Sequence, residues 1–489
     1  MVRRMLAVAV VVAALALGGC TTSDTPSGGL TATVASDETA RRVADVVNQK
    51  MAEWNMRAVI LKVTKGDQTI AKQAFGPSMD GVPATTEMNF RNGAVAFTYV
   101  SILLLRYVDD GTVKLDDPIV QWEPTLPNAD KVTLRMLANQ TTGYPDYETD
   151  PTWLAAFNNN PFHIFTYEER LKYAFGRPLQ FAPGANWSYA HTNFMILGNI
   201  LAKIGNKPLD QLLTDEVFKP MGLKNTVGSV TSTMPEPALH TFSSERRPAF
   251  AEPGKPFYEE ATYWNSQWGT PMGANETTTI DDLTTTAISF GTGSLLSPSS
   301  YKEMTDSKLI GFGKKDPGCE PSCFTQIPIY NYALGVIRSG PWIMQNPLLS
   351  GIGVTTAYLP SEKVSISVAV TLAPGGFDAD GNYKNRADYL FSSIGAVVRR
   401  TTRHSPSRPA DRPAGCSRTY LQALSRVFSG QHPALDRRTS PGDPHDDHRA
   451  RRRGRRHDQP RGDVEAHRGG PSQHTLPGGR DLGRHRPSG

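Results

Sequence analysis

The chain has 489 residues, with 52 Lys and Arg against 47 Asp and Glu and a formal charge of +5. That length allows one large domain or two or three smaller ones, and 4 cysteines are few for an exported chain. The positive balance does not imply a nucleic-acid partner: residues 401–489 hold 18 Arg against 9 acidic residues, which leaves the rest of the chain at −4.

At the N-terminus Arg3 and Arg4 precede an apolar stretch, Met5 to Leu17, then Gly18-Gly19-Cys20 and a run rich in Ser, Thr and Gly. A basic flank, a short apolar core and small residues before the cut define an export signal over residues 1–19. The apolar run falls short of the roughly 20 residues of a membrane span. Small residues directly before a cysteine resemble a bacterial lipobox. This implies lipidation of Cys20 and anchoring on the extracytoplasmic face of the membrane; a plain signal peptide with an incidental Cys20 is the competing reading. Residues 20–37 read as a flexible tether.

Asp37 to Trp54 reads as a helix capped by Asp37, with Val43, Val46, Val47 and Met51 at helical spacing. Arg57 to Phe75 reads as two strands turning at Lys65-Gly66-Asp67. Ala94 to Val108 is apolar on most faces and predicts a buried helix. Helices and loops follow to about Glu259, with Thr192–Ile204 and Pro208–Val217 as the clearest helices. Strands return at Tyr332–Ile337, Thr355–Leu359 and Val364–Leu372, and Asp388–Val397 reads as a closing helix. The order predicts an α+β fold. An antiparallel sheet built from both ends of the chain is flanked by helices, within a domain over 38–399, and a mainly helical insert spans about 99–265.

Cys319 and Cys323, in Gly-Cys-Glu-Pro-Ser-Cys, are the natural disulfide pair of an exported chain. Two cysteines alone cannot fill a zinc shell, so no metal is expected there. Residues 401–489 hold 8 of the 11 histidines and no Lys, Ile, Asn, Met or Trp. That composition predicts disorder over 400–489. The absent residue types have AT-rich codons, which suggests a frameshifted reading of GC-rich DNA; an intact frame in close relatives would exclude it. The Arg-rich run 451–456 reads as part of this odd tail and not as a nucleic-acid patch.

Phe90-Arg91-Asn92-Gly93-Ala94-Val95-Ala96-Phe97 resembles the nucleophile segment of the class C β-lactamases, the related D-Ala-D-Ala carboxypeptidases and their esterase cousins. Further blocks agree in order: Val108 to Pro118, Thr133 to Pro145, Phe181-Ala182-Pro183-Gly184, Tyr189 to Phe194, Pro220 to Thr226 and Gly293 to Pro298. The resemblance covers residues 38 to 398 and implies the β-lactamase/transpeptidase-like fold.

That chemistry needs a serine at the start of a buried helix and a lysine three residues later on the same face. The matching positions hold Ala94, which has no atom to attack a carbonyl, and Phe97, which has no base. In the second motif, Tyr-x-Asn, Tyr189 is retained and His191 replaces the asparagine, with a structural role as the default reading for the histidine. The third, Lys/His-x-Gly, falls near Gln345-Asn346-Pro347, where the basic residue and the glycine are both missing and Pro347 removes a donor from a sheet edge. The literal Ser-x-x-Lys at Ser299–Lys302 follows a helix cap at Ser297 and Pro298 and reads as a decoy. Thr98, one turn beyond Ala94, and Ser350, near the third motif, are the candidate substitute nucleophiles.

The leading expectation is an extracytoplasmic, lipid-anchored, non-catalytic relative. Its cleft, lined by Tyr189 and His191 and floored by Phe97, binds a cell-wall, lipid or protein ligand, with no cofactor, no metal and no nucleic acid. The alternatives are an active serine-hydrolase-type enzyme with a substitute nucleophile, and a decaying gene.

Overall fold

The computed structural model describes residues 28–252 and 255–401. The expected export signal, Cys20 and the tail beyond 401 lie outside the described residues.

The fold is a mixed helix and antiparallel-sheet architecture. The first helix, Gly28–Trp54, begins upstream of the expected Asp37, so Asp37 is interior to it and not its cap. The hairpin Met56–Lys65/Gln68–Phe75 forms as the alternation requires, with Gly66 at φ +55° in the turn. Seven strands lie in the order Gln68–Phe75, Met56–Lys65, Val364–Leu372, Ile352–Leu359, Trp342–Gln345, Ile337–Ser339 and Asn331–Tyr332. The short strand Leu348–Leu349 pairs with the start of Ile352–Leu359. N-terminal and C-terminal strands meet in the middle, where Val59 pairs with Val370 and Leu61 with Val368.

The first and last helices, Gly28–Trp54 and Arg386–Thr401, pack on one face of this sheet, with Trp54 edge-on to Tyr389 at 5.6 Å. Helix Ile280–Thr292 covers the other face. Every residue of Ile352–Leu359 and Val364–Leu372 is buried. The alternation in Val364–Leu372 therefore does not mark a solvent face. Ser367 pairs its hydroxyl with that of Thr356, which in turn donates to the carbonyl of Leu283 on the covering helix. These two buried hydroxyls are satisfied across the layers, as burial demands.

Tyr332–Ile337 is not one strand. Gly335, at φ +68°, reverses the chain so that Tyr332 pairs with Ile337 across a tight hairpin. A Cβ at 335 would come 2.1 Å from Ser101 Oγ and 2.6 Å from the carbonyl of Phe97, so the hairpin tip lies hard against helix Val95–Asp109. That helix is buried over most of its length, from Val95 through Leu105. Helix His191–Gly205 ends at Asn206 in the left-handed region, which asparagine tolerates. Residues Pro208–Val217 form a shorter helix, Leu209–Leu213, that continues into a π-turn, Thr214–Phe218.

Cys319 and Cys323 are joined by a disulfide. Among the described residues no helix is long and apolar enough to cross a membrane.

Candidate ligand-binding cleft

A cleft opens between the start of helix Val95–Asp109, the segment Gln345–Leu349 and the loop before helix His191–Gly205. Ala94, Tyr189, His191, Thr270, Tyr332 and Gln345 are among its lining residues. The four positions singled out by sequence thus come together, with Ala94, Tyr189 and His191 on the surface of the cleft and Phe97 directly beneath.

Gly93 brings the helix start to the sheet. Its φ is +52°, and a Cβ there would meet Pro347 at 2.8 Å and Leu349 at 2.9 Å. Ala94 follows as the cap residue and offers no side-chain hydrogen bond to the helix. One turn on, Phe97 is fully buried and stacks on Phe194, with ring centroids 4.1 Å apart and planes 4° from parallel. Its ring also approaches Tyr189 at 6.1 Å and His191 at 6.0 Å. An aromatic cluster, worth more than its burial alone, occupies the space beneath the helix start.

Gln345 to Pro347 lie where the expectation put them. Beyond Met344, the last residue paired with strand Ile337–Ser339, strand Trp342–Gln345 is open on its cleft side. Asn346 and Pro347 interrupt the ladder before Leu348 resumes pairing with Gly353. Pro347 needs no donor there, and its carbonyl accepts from the backbone N–H of Val354 at 2.9 Å. Gln345 donates from Nε2 to the carbonyl of Gly335 at 2.7 Å. Asn346 donates to Asp388 at 2.8 Å, and Thr355 donates to the other oxygen of the same carboxylate at 2.7 Å. Burial raises the Asp388 carboxyl to about 7, against the pull of these two donors.

Neither candidate substitute nucleophile faces the cleft. Thr98 is fully buried and donates to the carbonyl of Gly335 at 2.8 Å. Ser350 is buried in a turn at φ +34° and is not among the lining residues. The helix cap expected before Ser299–Lys302 is present, with Ser297 capping Ser300 and Pro298 in the first position of helix Pro298–Thr305. Ser297 and Ser300 also bond to Asp109 at the far end of helix Val95–Asp109. That places them about 20 Å from Ala94, at ~1.5 Å per residue.

The opposite wall carries charge that the sequence reading did not anticipate. His191, the first residue of its helix, has Nδ1 at 2.9 Å from Asp146 Oδ2 and 3.1 Å from Glu148 Oε1. Asp146 also accepts from the backbone N–H of Glu148 at 3.2 Å, which folds the carboxylates onto one side of the histidine. The start of the helix is pinned to this loop by Gln140, which accepts from Ala190 N and Asn193 Nδ2, and by Thr142, which donates to Asn193. Burial, then the neighbouring Asp146 charge, holds the Glu148 carboxyl well above the usual carboxylate range. Burial likewise pushes the Tyr189 phenol up, so it stays neutral. Asp146 directly follows the Tyr144-Pro145 that closes one of the resembling blocks, which was the available signal; Glu148 carried none.

Comparison with known families settles the lineage. Residues 43–391 match the family described as Beta-lactamase. The chain belongs to the beta-lactamase family. Among curated members, D-alanyl-D-alanine-carboxypeptidase/endopeptidase AmpH of Escherichia coli K12 is 29% identical over 174 residues, 34% of this chain and 44% of that protein. Esterase EstB of Burkholderia gladioli is 24% identical over 199 residues, 38% of this chain and 50% of the esterase. The chain thus spans about half the length of the curated relatives it matches. Among solved beta-lactamase-like structures, D-amino acid amidase from Ochrobactrum anthropi SV3 with D-phenylalanine superposes with a TM-score of 0.61 at 20% identity, over 74% of this chain and 99% of the amidase. The penicillin-binding protein homologue from Pyrococcus abyssi gives 0.56 at 16% identity, over 74% and 77%. At such identities these neighbours speak for the fold.

Proposed function

We infer that this beta-lactamase-family domain is a binding protein that has lost acyl transfer, carried as an exported lipoprotein anchored through Cys20 on the extracytoplasmic face of the membrane. The observation that supports this best is Phe97. Where the family's resemblance places the lysine, a fully buried ring stacks on Phe194 at 4.1 Å, leaving no vacancy for an amine. Ala94 removes the nucleophile; of the two candidates to replace it, Thr98 is bonded to the Gly335 carbonyl and Ser350 does not line the cleft. The cleft keeps a lining of Tyr189, His191, Tyr330 and Tyr332 beside polar Gln345 and Asn346, a surface suited to a cell-envelope ligand of peptide, lipid or protein chemistry.

The test is the intact mass of the purified protein after incubation with excess penicillin and, separately, a fluorophosphonate. The expected result is no adduct with either. A stoichiometric mass increase would establish an active hydrolase with a substitute nucleophile and overturn this reading. For the anchor, metabolic labelling with a palmitate analogue is expected to tag the wild type and not Cys20→Ser.

A further inference from the structure

We propose that Asp146, Glu148 and His191 form a site for one divalent transition-metal ion, of which Zn²⁺ matches the donors best, at the edge of the cleft. The inference goes beyond the binding role above and stands whether or not the cleft hydrolyses anything. It also departs from the expectation, drawn from sequence, of no metal.

One nitrogen and two carboxylate oxygens lie within 4.8 Å of one another. Nδ1 of His191 is 2.9 Å and 3.1 Å from the two oxygens. A zinc ion with bonds of about 2.0–2.1 Å holds neighbouring ligands roughly 3.3 Å apart, so the histidine nitrogen lies within a few tenths of an ångström of that spacing from each oxygen. Imidazole with carboxylates is a donor set that zinc accepts.

A second observation points the same way. Glu148 Oε1 is buried with no hydrogen-bond donor, on a side chain only 10% exposed, and it faces the histidine nitrogen. Nδ1 can give at most one N–H, and Asp146 is its nearer partner at 2.9 Å. A buried carboxylate oxygen left without a donor is unusual and marks the place of a missing partner. Arg170, fully buried, favours the ionised form of Glu148 against the burial and the Asp146 charge that oppose it.

The cluster is also open on one side. Gly269 lines the cleft, and no left-handed turn requires a glycine there. A Cβ at 269 would sit 3.6 Å from Glu148 Oε1 and 3.9 Å from His191 Cδ2, in ordinary contact. Its absence leaves room beside Oε1 for a fourth ligand, water or a donor atom of a bound molecule, as an open three-residue zinc site requires.

The experiment is a Zn²⁺ titration of the full-length protein by calorimetry, compared with Glu148→Gln and Asp146→Asn. The 8 histidines of residues 401–489 are further potential zinc ligands, so the readout is the difference between proteins identical in that segment. The wild type is expected to bind one more equivalent than either variant, with affinity at that site falling by about 100-fold or more. Gly269→Ala, whose methyl group the fold accommodates, is expected to weaken the same equivalent and leave the others unchanged. Identical isotherms for the wild type and Glu148→Gln would overturn the site and leave a histidine paired with two carboxylates. Should a variant fail to fold, anomalous scattering from a zinc-soaked wild-type crystal decides. A peak between the three side chains supports the site, and its absence refutes it.

Discussion

The two walls of the cleft have gone opposite ways. The wall formed by Ala94, Phe97 and Gln345 to Pro347 is made of packed rings, a methyl group and an amide whose hydrogen bond stays inside the protein. On the wall formed by Asp146, Glu148 and His191, two carboxylates stay buried against one histidine, and one oxygen has no donor. Packing a ring stabilises a fold, whereas burying charge opposes it. The first wall is thus accounted for by stability alone. The second is not, and it is where a ligand has something to supply.

Four measurements can break or sharpen this contrast. The largest effect is expected from Phe97→Ala, which removes a fully buried ring from its stack and should destabilise the protein by about 3–5 kcal/mol in urea denaturation; a loss below ~1 kcal/mol would show that the quiet wall is not held by packing. In the same region Ala94→Ser combined with Phe97→Lys is expected to show no nitrocefin turnover, since Gln345 and Pro347 remain.

The second concerns pH. Asp388, behind Asn346, and Glu245 both have carboxyls raised to about 7 by burial. An acid whose folded pKa lies above its unfolded value binds more protons when folded. Its contribution to stability is fully present below the unfolded pKa, about 4, and is lost as pH rises to about 7. Stability is expected to fall by on the order of 2–4 kcal/mol across that window and level off above it. Asp388→Asn should make the slope shallower, and a slope unchanged in that variant would contradict the assignment.

Asp146→Ala removes both the contact to His191 and the bond to Glu148 N. A loss of about 2 kcal/mol is expected, roughly 1 for each. If the variant is instead more stable, the charged wall is under greater strain than its one shared N–H suggests. The smallest effect belongs to the decoy. Ser299→Ala, on an exposed helix turn at the far end from the cleft, should alter stability by no more than ~0.5 kcal/mol and leave ligand and zinc binding untouched.

Local pattern and the order of the resembling blocks carried most of the fold. Val364–Leu372 was legible to the residue, because β-branched residues at every second position specify a strand. Tyr332–Ile337 misled because its apolar run hides one glycine whose positive φ turns the chain. The meeting of Ala94 and Phe97 at the helix start could be read directly, since the resembling motif fixes their spacing. The charged wall could not. Glu148 meets His191 from 43 residues away, through a loop turn that no periodicity announces, and Gly269 reaches the same place from the far side of the helical region.

Gly335 has one more implication. Its carbonyl takes hydrogen bonds from Thr98 at 2.8 Å and from Gln345 at 2.7 Å, while its N–H donates to Ala138 at 3.2 Å. With no room for even a methyl group, this residue rivets the sheet to two helices at the back of the cleft. A joint fixed on three sides cannot act as a hinge, so the cleft should behave as a rigid socket. Ligands would be selected by shape at first encounter, and binding should proceed in a single kinetic phase whose rate rises linearly with ligand concentration.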